Sequence, residues 1–492
     1  MKRLQILIIF ALIINSSLIA QKSNIFHNRN FWKANPSIET IDKKITEGND
    51  ISQLNSNAFD AVVYAILEKT DNKTIKYLLS KAGNNVNKKT HDGRTYIFWA
   101  AYKNNLEIIK YVISKGAKTD IIDTHGNTFL NFAAATGQTD LDLYKYSFNI
   151  GSDIKHEKNH DGANALLLVA PYLKDFILVD LFLANGATLN DKDTNGNGLF
   201  EYASKGGNIP FLKNLIEKEV EKGDNAMIFA SQGLRRKENT LETYKFLESI
   251  DVKANIVDIK GRNPLHAIAY NSESLETYKY FINKGVDINL QDNGGDSPFM
   301  NASNSNTLEV VKFLSNYLRN INLKDENGRS ALAMAVNRNS VNVVKFLLEK
   351  EANINTVDEN GNSLSYYLIN TFRANKVTNF EDKLKVLLKN GLVINKIQNS
   401  GNTLLHLATE RNNLSLLKRL KTFNIDVNTM NKNNLSTIQV AAMKAKNVNI
   451  LKYLLSIGAN KNIKTDFDET VYDLASENEL LKKNNININF LK

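Results

Sequence analysis

The residue types that most often carry chemistry are sparse in this chain and are widely spaced. The 492 residues include 7 His and no Cys, which excludes disulfides, thiolate metal sites and cysteine nucleophiles. His91, His125 and His160 recur along the chain, and His156 lies close to the last of them. His156 and His160 can share a metal ion only if a third ligand comes from another part of the chain, because zinc needs each ligand nitrogen within about 2.1 Å. We predict exposed polar side chains here rather than a metal site.

Glycine and carboxylate clusters also lack the context that catalysis needs. Gly196-Asn197-Gly198 and Gly294-Gly295 have neither the Walker lysine pattern nor a strand–Gly-x-Gly-x-x-Gly–helix context. Neither a Gly-x-Ser-x-Gly elbow nor a His-Glu-x-x-His pair occurs in the sequence. Carboxylates such as Asp224, Glu238 and Glu242 are interspersed with Lys and Arg, which is typical of a solvated helix face. The sequence therefore predicts no enzyme, no cofactor and no metal.

The glycines instead mark a repeat. Asp-Glu-Asn-Gly328 and Asp-Glu-Asn-Gly361 are 33 residues apart, and Asn434 and Asp468 continue the same register. The glycines in this register are Gly93, Gly126, Gly162, Gly196, Gly261, Gly295, Gly328, Gly361 and Gly401. Six repeats carry Asp three residues before the glycine position: Asp123, Asp193, Asp258, Asp292, Asp325 and Asp358. An Asp side chain accepts backbone N–H bonds in a turn and Gly supplies a positive φ, so each period contains a predicted tight turn.

Two short helices are predicted after each turn. The first ends in small residues such as Phe132-Ala133-Ala134, which let adjacent repeats approach closely. The second places apolar residues at i, i+3, i+4 and i+7 and keeps Glu and Lys in water, as in Leu308-Glu-Val-Val-Lys-Phe313. A glycine before a β-prone residue and Asn, as in Gly285-Val-Asp-Ile-Asn289, closes that helix in a left-handed cap.

This pattern resembles the ankyrin repeat. The resemblance rests on the 33-residue period, on the Asp-x-x-Gly turn, and on starts similar to Thr-Pro-Leu-His at Asn263-Pro264-Leu265-His266 and Thr403-Leu404-Leu405-His406. It covers about residues 30–490. It implies an all-α ankyrin-repeat solenoid of about thirteen helix–turn–helix units with short β-hairpin-like fingers. The imidazoles of His266 and His406 are expected to bond the backbone of a neighbouring loop.

Irregular places in the repeat suggest the domain organisation. Between Gly196 and Gly261 the second helix is predicted to run through 217–222 straight into 225–230, so that a finger is missing and a kink or hinge is expected at 217–230. An insertion near 373–382 lengthens one spacing to 40 residues. The predicted divisions are a signal peptide at 1–20, an N-terminal capping unit at 21–57, a first block of repeats at 58–222, a second block at 223–467 and a C-terminal capping unit at 468–492.

Residues 1–20 differ from the rest of the chain. Lys2 and Arg3 precede an apolar run at 4–14, and Ala20 stands before a polar residue, which predicts a secretory signal peptide cut after Ala20. Leu18 departs from the small residue usual three positions before the cut. An uncleaved membrane anchor is the alternative, although a spanning helix needs about 20 apolar residues. We expect export to the bacterial periplasm, with release from the cell left open, and cleavage lowers the net charge from +10 to +8.

The resemblance implies a non-catalytic scaffold that binds another protein along a concave face. The family's variable positions follow the turn glycine and end the first helix, and Arg, Lys and Tyr dominate them here. The predicted partner-binding residues are Arg94, Tyr102, Lys103, Tyr172, Arg262, Tyr270, Arg329, Arg338, Arg411 and Lys444. Their basic bias predicts a protein partner with an acidic surface, without nucleic acid or membrane as partners of the mature chain. The oligomeric state is left open.

Two other functions remain as alternatives. A secreted, host-directed effector fits many bacterial ankyrin proteins, but neither a eukaryote-directed motif nor an appended catalytic domain is visible in the sequence. A binder of an anionic envelope polymer requires a basic surface stripe. The longest basic run is Leu234-Arg235-Arg236-Lys237.

Overall fold

Short amphipathic helices alternate with turns along the chain. The computed structural model describes residues 24–235 and 237–492, so the predicted signal peptide at 1–20 lies outside the described residues. Within these ranges there are 28 α-helices, and β-structure is limited to isolated bridges. None of the described helices is both long enough and apolar enough to span a bilayer.

The described residues form two compact units, one ending at Leu199 and the other beginning at Phe200. The predicted block boundary at 222/223 lies within the second unit, and the blocks at 58–222 and 223–467 stay predictions, as does the repeat count. The helices of the first unit are α1 (Arg29–Lys33), α2 (Ile38–Thr46), α3 (Ala61–Leu67), α4 (Asn72–Leu79), α5 (Tyr96–Tyr102), α6 (Leu106–Ser114), α7 (Phe129–Ala135), α8 (Leu141–Asn149), α9 (Ala165–Val169) and α10 (Ile177–Ala184).

The remaining helices follow the same order of one inner and one outer helix. They are α11 (Leu199–Ser204), α12 (Ile209–Glu217), α13 (Asn225–Gln232), α14 (Leu241–Ser249), α15 (Pro264–Asn271), α16 (Leu275–Asn283), α17 (Pro298–Ser305), α18 (Leu308–Ser315), α19 (Ala331–Arg338), α20 (Val341–Glu349), α21 (Leu364–Ile369), α22 (Thr378–Lys389), α23 (Leu404–Glu410), α24 (Leu414–Leu420), α25 (Thr437–Lys444), α26 (Asn449–Ser456), α27 (Val471–Glu477) and α28 (Glu479–Lys483). We call the first helix of each pair the inner helix and the second the outer helix.

Inner helices pack on inner helices because their contact faces carry small residues. In the second unit α15 packs on α17, and α17 packs on α19. Ala302, Ala333 and Ala335 are buried there, with exposed fractions of 0 to 2%. Outer helices bury only the apolar stripe that the sequence predicts, as Val310, Val311 and Leu314 do in α18.

The turns between repeats form the predicted fingers, and their geometry confirms the role of Asp and Gly. Asp123 Oδ1 accepts hydrogen bonds from the backbone N–H groups of His125 and Asn127, both at 2.9 Å. Gly126 has a φ of 78°, a conformation in which glycine is favoured. Each finger also bonds to the next, as when Thr124 N–H donates to Asp92 O at 2.9 Å. Where two consecutive repeats carry fingers, this register fixes one repeat against the other.

The region of the missing finger differs from the prediction in one respect. Helix α12 ends at Glu217 instead of continuing through 217–222, because Glu219 adopts a φ of 59° and Val220 N–H donates back to Leu215 O at 3.0 Å. Helix α13 then begins at Asn225, so the link at 218–224 is too short for a finger. The predicted continuous helix is therefore wrong, whereas the absence of a finger between α12 and α13 is confirmed.

The insertion forms an exposed link and a long outer helix. Residues 373–377 are all exposed, and the 12-residue helix α22 that follows is the longest of the described helices. Phe380 is fully buried and its ring lies 5.2 Å from that of Phe372. The exposed link is thus flanked by two buried phenylalanines that pack on each other.

Candidate functional site

The predicted binding residues occupy two structural positions, the residue after each turn glycine and the end of each inner helix. Arg262 follows Gly261 in a finger, whereas Tyr270 lies near the end of α15. Both positions belong to the face on which fingers and inner helices meet. The side chains at the two positions differ in how strongly the folded chain itself engages them.

The arginines after the turn glycine are used by the fingers themselves. Arg262 Nε and Nη2 donate to Asp258 Oδ2 at 3.0 and 2.6 Å. Arg329 Nε donates to Asp325 Oδ2 at 2.5 Å in the same way. A finger carboxylate that already accepts backbone N–H groups is thereby neutralised, and these arginines remain only partly exposed.

Arg94 is not a surface residue, which corrects the expectation that it contacts a partner. Its exposed fraction is 8%, and its guanidinium pairs with Asp123 at 2.9 Å and Asp92 at 3.1 Å. The guanidinium carbon lies 4.2 Å from the ring centre of Phe132, close enough for a cation–π contact. Arg94 holds two neighbouring fingers together inside the first unit.

The other candidates of the first unit are half-buried. Tyr102 lies with its ring 6.0 Å from that of Phe132, and burial is the main cause that lowers the pKa of Lys103. The Tyr172 hydroxyl donates to Ala135 O at 3.2 Å. These three side chains lie at the ends of inner helices, and both tyrosines contact a neighbouring repeat.

In the second unit, Tyr270 and Arg338 are two candidates exposed to solvent. The exposed fraction of Tyr270 is 39%, and Arg338 is exposed at the end of α19. The side chain of Arg338 forms no hydrogen bond or ion pair with another described residue. Burial is the main cause that raises the pKa of Tyr270, so its hydroxyl stays protonated and can donate a hydrogen bond.

Two cavities flank Tyr270 and form what we call the inner-helix groove. One, of about 340 Å³, is lined by Gln232, Arg262 and Tyr270; the other, of about 230 Å³, by Tyr270, Asp296 and Arg338. They share the tyrosine ring, so the groove continues past it along α15, α17 and α19. An aromatic side chain between two recesses is a common anchor for a protein partner.

Asp296 supplies the acidic part of this groove. Burial, followed by the charges of Asp325 and Asp292, raises the pKa of Asp296 to about 6. Its Oδ1 atom is buried and accepts no hydrogen bond from the described residues. The groove is therefore mixed in charge, with an under-satisfied carboxyl near the exposed guanidinium of Arg338.

A third cavity, of about 590 Å³, adjoins the groove, and the sequence analysis did not predict it. We call it the Lys205 recess and define it by Lys205, Gln232, Arg235, Lys237 and Asn271. It lies under the turn between α13 and α14, which is as long as the link between α21 and α22 and longer than the corresponding turns of the other repeats. The length of this turn was the sequence feature that could have indicated the recess.

Arg411 and Lys444, further along the chain, are each engaged with a neighbouring repeat. Arg411 Nη2 donates to Asn370 Oδ1 at 2.5 Å. Lys444 Nζ lies 3.9 Å from a carboxylate oxygen of Glu410. Both side chains remain exposed at inner-helix ends, where a partner can contact them.

The histidines serve the structure in the way the family resemblance implies. The Nε2 atoms of His266 and His406 contact Asp296 O at 3.1 Å and Leu435 O at 3.0 Å, which confirms the predicted bonds to neighbouring loops. His91 and His125 both approach Asp92, at 3.5 and 3.7 Å. Across 24–235 and 237–492, no group of three or more His, Asp or Glu side chains is placed to hold a metal ion.

Comparison with known proteins agrees with this architecture. The family model "Ankyrin repeats (3 copies)" matches residues 62–155, 227–325, 299–370 and 371–465, together more than half of the chain. The chain is 24% identical over 131 residues to the phosphocholine transferase AnkX of Legionella pneumophila, and 28% identical over 126 residues to the putative ankyrin repeat protein FPV230 of fowlpox virus. These segments are 26% and 24% of this chain, and they span only 14% and 64% of the two relatives. On the family match and the repeat geometry, the chain belongs to the ankyrin repeat family, whose repeats form protein–protein interaction scaffolds.

Proposed function

We propose that this protein is a non-catalytic scaffold that binds a partner protein in the inner-helix groove of its second unit. The observation that supports this most directly is the position of Tyr270, which stands exposed between two cavities on the face built by fingers and inner helices. Tyr and Arg are the side chains most enriched at interface hot spots, and Arg338 lies at the same groove.

We propose further that the partner presents an acidic segment and meets the protein in the periplasm. Exposed Arg338 and Lys444, and the cations of the Lys205 recess, favour a negatively charged surface by long-range attraction. The location rests on the charged start and apolar run at 1–20 and on the absence of Cys. The transferase activity of the Legionella relative is not proposed for this chain, because the shared segment is only 14% of that relative.

The test is a pull-down from periplasmic extract with the full chain, followed by affinity measurements on the protein recovered. We expect Tyr270→Ala combined with Arg338→Ala to weaken binding by about 2 kcal/mol or more, because truncated hot-spot residues lose that much. Arg262 and Arg329 are left unchanged, since their ion pairs brace the fingers.

The matched control replaces Lys279 and Lys345 with Ala. Both are exposed on outer helices, α16 and α20, away from the groove. We expect this variant to bind as the wild type does. Loss of binding in the outer-helix variant with retention in the groove variant would place the partner elsewhere and refute the proposal.

A further inference from the structure

The Lys205 recess differs from the inner-helix groove in the charge of its lining. Lys205, Arg235 and Lys237 line it, and Glu238 is the one carboxylate among its described lining residues. The recess shares Gln232 and Asn271 with the neighbouring cavity of the groove. A chain segment lying in the groove therefore reaches the recess without interruption.

The recess is held open by a turn with several fixed points. Leu234 and Lys237 exchange two backbone hydrogen bonds of 2.9 Å, which closes a tight turn. Asn239 Nδ2 donates to Ala230 O at 2.9 Å and to Lys205 O at 3.1 Å, so the turn is tied to the end of α11. Gly207 permits this approach, because a Cβ there would lie 1.9 Å from Asn239 Oδ1. Such a recess exists before any ligand arrives.

Lys205 lacks a counter-ion in this recess. Its ammonium makes no ion pair or hydrogen bond with any other described residue, and burial, followed by the charge of Arg262, lowers its pKa. Burying a cation without a partner is costly, and an incoming carboxylate removes that cost. The side-chain amides of Gln232 and Asn271 also make no hydrogen bond within the described chain, so they are available to a peptide backbone.

We propose that the Lys205 recess binds a carboxylate side chain of an acidic, extended peptide segment of the partner, with Lys205 as its counter-ion. Arg235 and Lys237 attract further acidic side chains at the rim, and Gln232 and Asn271 bond the backbone of the segment. The proposal rests on the proposed scaffold function and assigns the chemistry of one of its contacts. A protein segment is favoured over other anions because amide and hydroxyl groups, including Ser231 and Ser272, share the lining with the cations.

The experiment measures binding of two fluorescein-labelled peptides, (Gly-Glu)5 and (Gly-Gln)5, to the full chain by fluorescence polarisation. We expect the acidic peptide to bind and the neutral, nearly isosteric one to bind at least about 10-fold more weakly. Lys205→Met keeps the aliphatic stem and removes the charge, and we expect it to weaken binding of (Gly-Glu)5 by about 10-fold. Lys279→Met on the exposed side of α16 should change it by less than about 2-fold.

A second readout does not depend on a variant's stability. In the wild-type chain with 13C-dimethylated lysines, the Lys205 resonance, assigned by its loss in Lys205→Met, should titrate at a higher pH when (Gly-Glu)5 is saturating. Equal affinity for both peptides, unchanged affinity in Lys205→Met, or an unchanged titration would overturn the proposal. Tighter, Lys205-dependent binding of (dT)10 than of (Gly-Glu)5 would also overturn it, in favour of nucleic acid.

Failure of this inference is distinguishable from failure of the scaffold function. If Tyr270→Ala with Arg338→Ala loses the recovered partner but Lys205→Met still binds (Gly-Glu)5 like the wild type, the groove stands and the recess assignment is wrong. If both variants bind like the wild type, both proposals are refuted.

Discussion

At the scale of single residues, His406 and Gln439 show that two different residue types can play the same structural role in different repeats. The backbone N–H of Thr403 donates to His406 Nδ1 at 3.2 Å, and the backbone N–H of Ser436 donates to Gln439 Oε1 at 2.8 Å. Each closes a capping box at the start of an inner helix. Only the histidine titrates, so only that helix start is sensitive to acid.

The consequence is a pH dependence with a defined sign. Burial lowers the pKa of His406 below its unfolded value of about 6.5, so its contribution to stability is present above that pH and is lost as the pH falls through the folded pKa. We expect His406→Gln, which copies the arrangement at Gln439, to reduce the drop in Tm between pH 7 and pH 5 by about 2 °C. Thermal unfolding at both pH values measures this, and parallel curves for the two proteins would contradict it.

Lys383 fills a position that asparagine fills elsewhere. Asn339 Nδ2 donates to Ser303 O at 3.0 Å, across to the preceding inner helix. One repeat later that slot holds Phe372, and Lys383 from α22 donates instead to Val336 O at 2.8 Å. Lys383 thus forms the bridge to the preceding inner helix that Asn339 forms one repeat earlier.

The buried amine of Lys383 leads to a second prediction about pH. Burial lowers the pKa of Lys383 to about 8, below its unfolded value of about 10.5, so the folded chain gains stability as the pH rises between these values. We expect the stability of the wild type relative to Lys383→Met to increase by up to roughly 1.4 kcal/mol per pH unit in this window. Denaturant unfolding at pH 7.5 and pH 9.5 measures it. A difference between the two proteins that does not change with pH would show that the amine is not buried.

Part of the site could be predicted from residue types and part could not. The finger register followed from the spacing of Asp and Gly, and the roles of His266 and His406 followed from the family resemblance. The ion pairs of Arg262 and Arg329 could not be predicted from the sequence. They depend on whether each side chain folds back onto the Asp four residues earlier. The Lys205 recess could not be predicted from the repeat pattern either, because the turn closed by Leu234 and Lys237 is not part of that pattern.

At the scale of elements, the insertion and the missing finger are not equivalent weak points. The link at 218–224 is short and is attached at both ends, with Asp224 paired to Lys253 at 3.0 Å. The link at 373–377 is exposed throughout and lies between α21 and α22. Local opening is therefore expected first at the insertion.

We expect trypsin to cut the native protein first at Arg373 or Lys376. Both residues are exposed and outside helices, so a protease can extend the backbone there without unfolding a repeat. Arg373→Gln with Lys376→Gln should remove the first cut and leave Tm within about 1 °C. Mass spectrometry of the fragments locates the cut. A first cut at Lys312 inside α18, or an unchanged first cut in the double variant, would contradict the expectation.

At the scale of the whole molecule, stability is spread over many similar interfaces. Within each of the two units, inner helices pack on inner helices, as α5 does on α7 and α15 on α17, and adjacent fingers bond to each other, so many nearest-neighbour interfaces share the stabilisation. Such an arrangement folds without disulfides, which suits a chain with no Cys. The export proposed above is compatible with this composition, because the chain offers no thiol for misoxidation.

The last prediction concerns that export. We propose that the chain is cut after Ala20 and released as a soluble periplasmic protein, because Lys2 and Arg3 followed by the apolar run at 4–14 match a signal peptide and are short for a spanning helix. Intact-mass measurement of the protein from periplasmic extract should give a mature N-terminus at Gln21. Replacing Ala20 with a bulky residue, Ala20→Tyr, should block the cut and leave the protein in the membrane pellet, because the cleavage site requires a small residue there. An intact Met1 in the wild-type pellet would instead establish the uncleaved anchor.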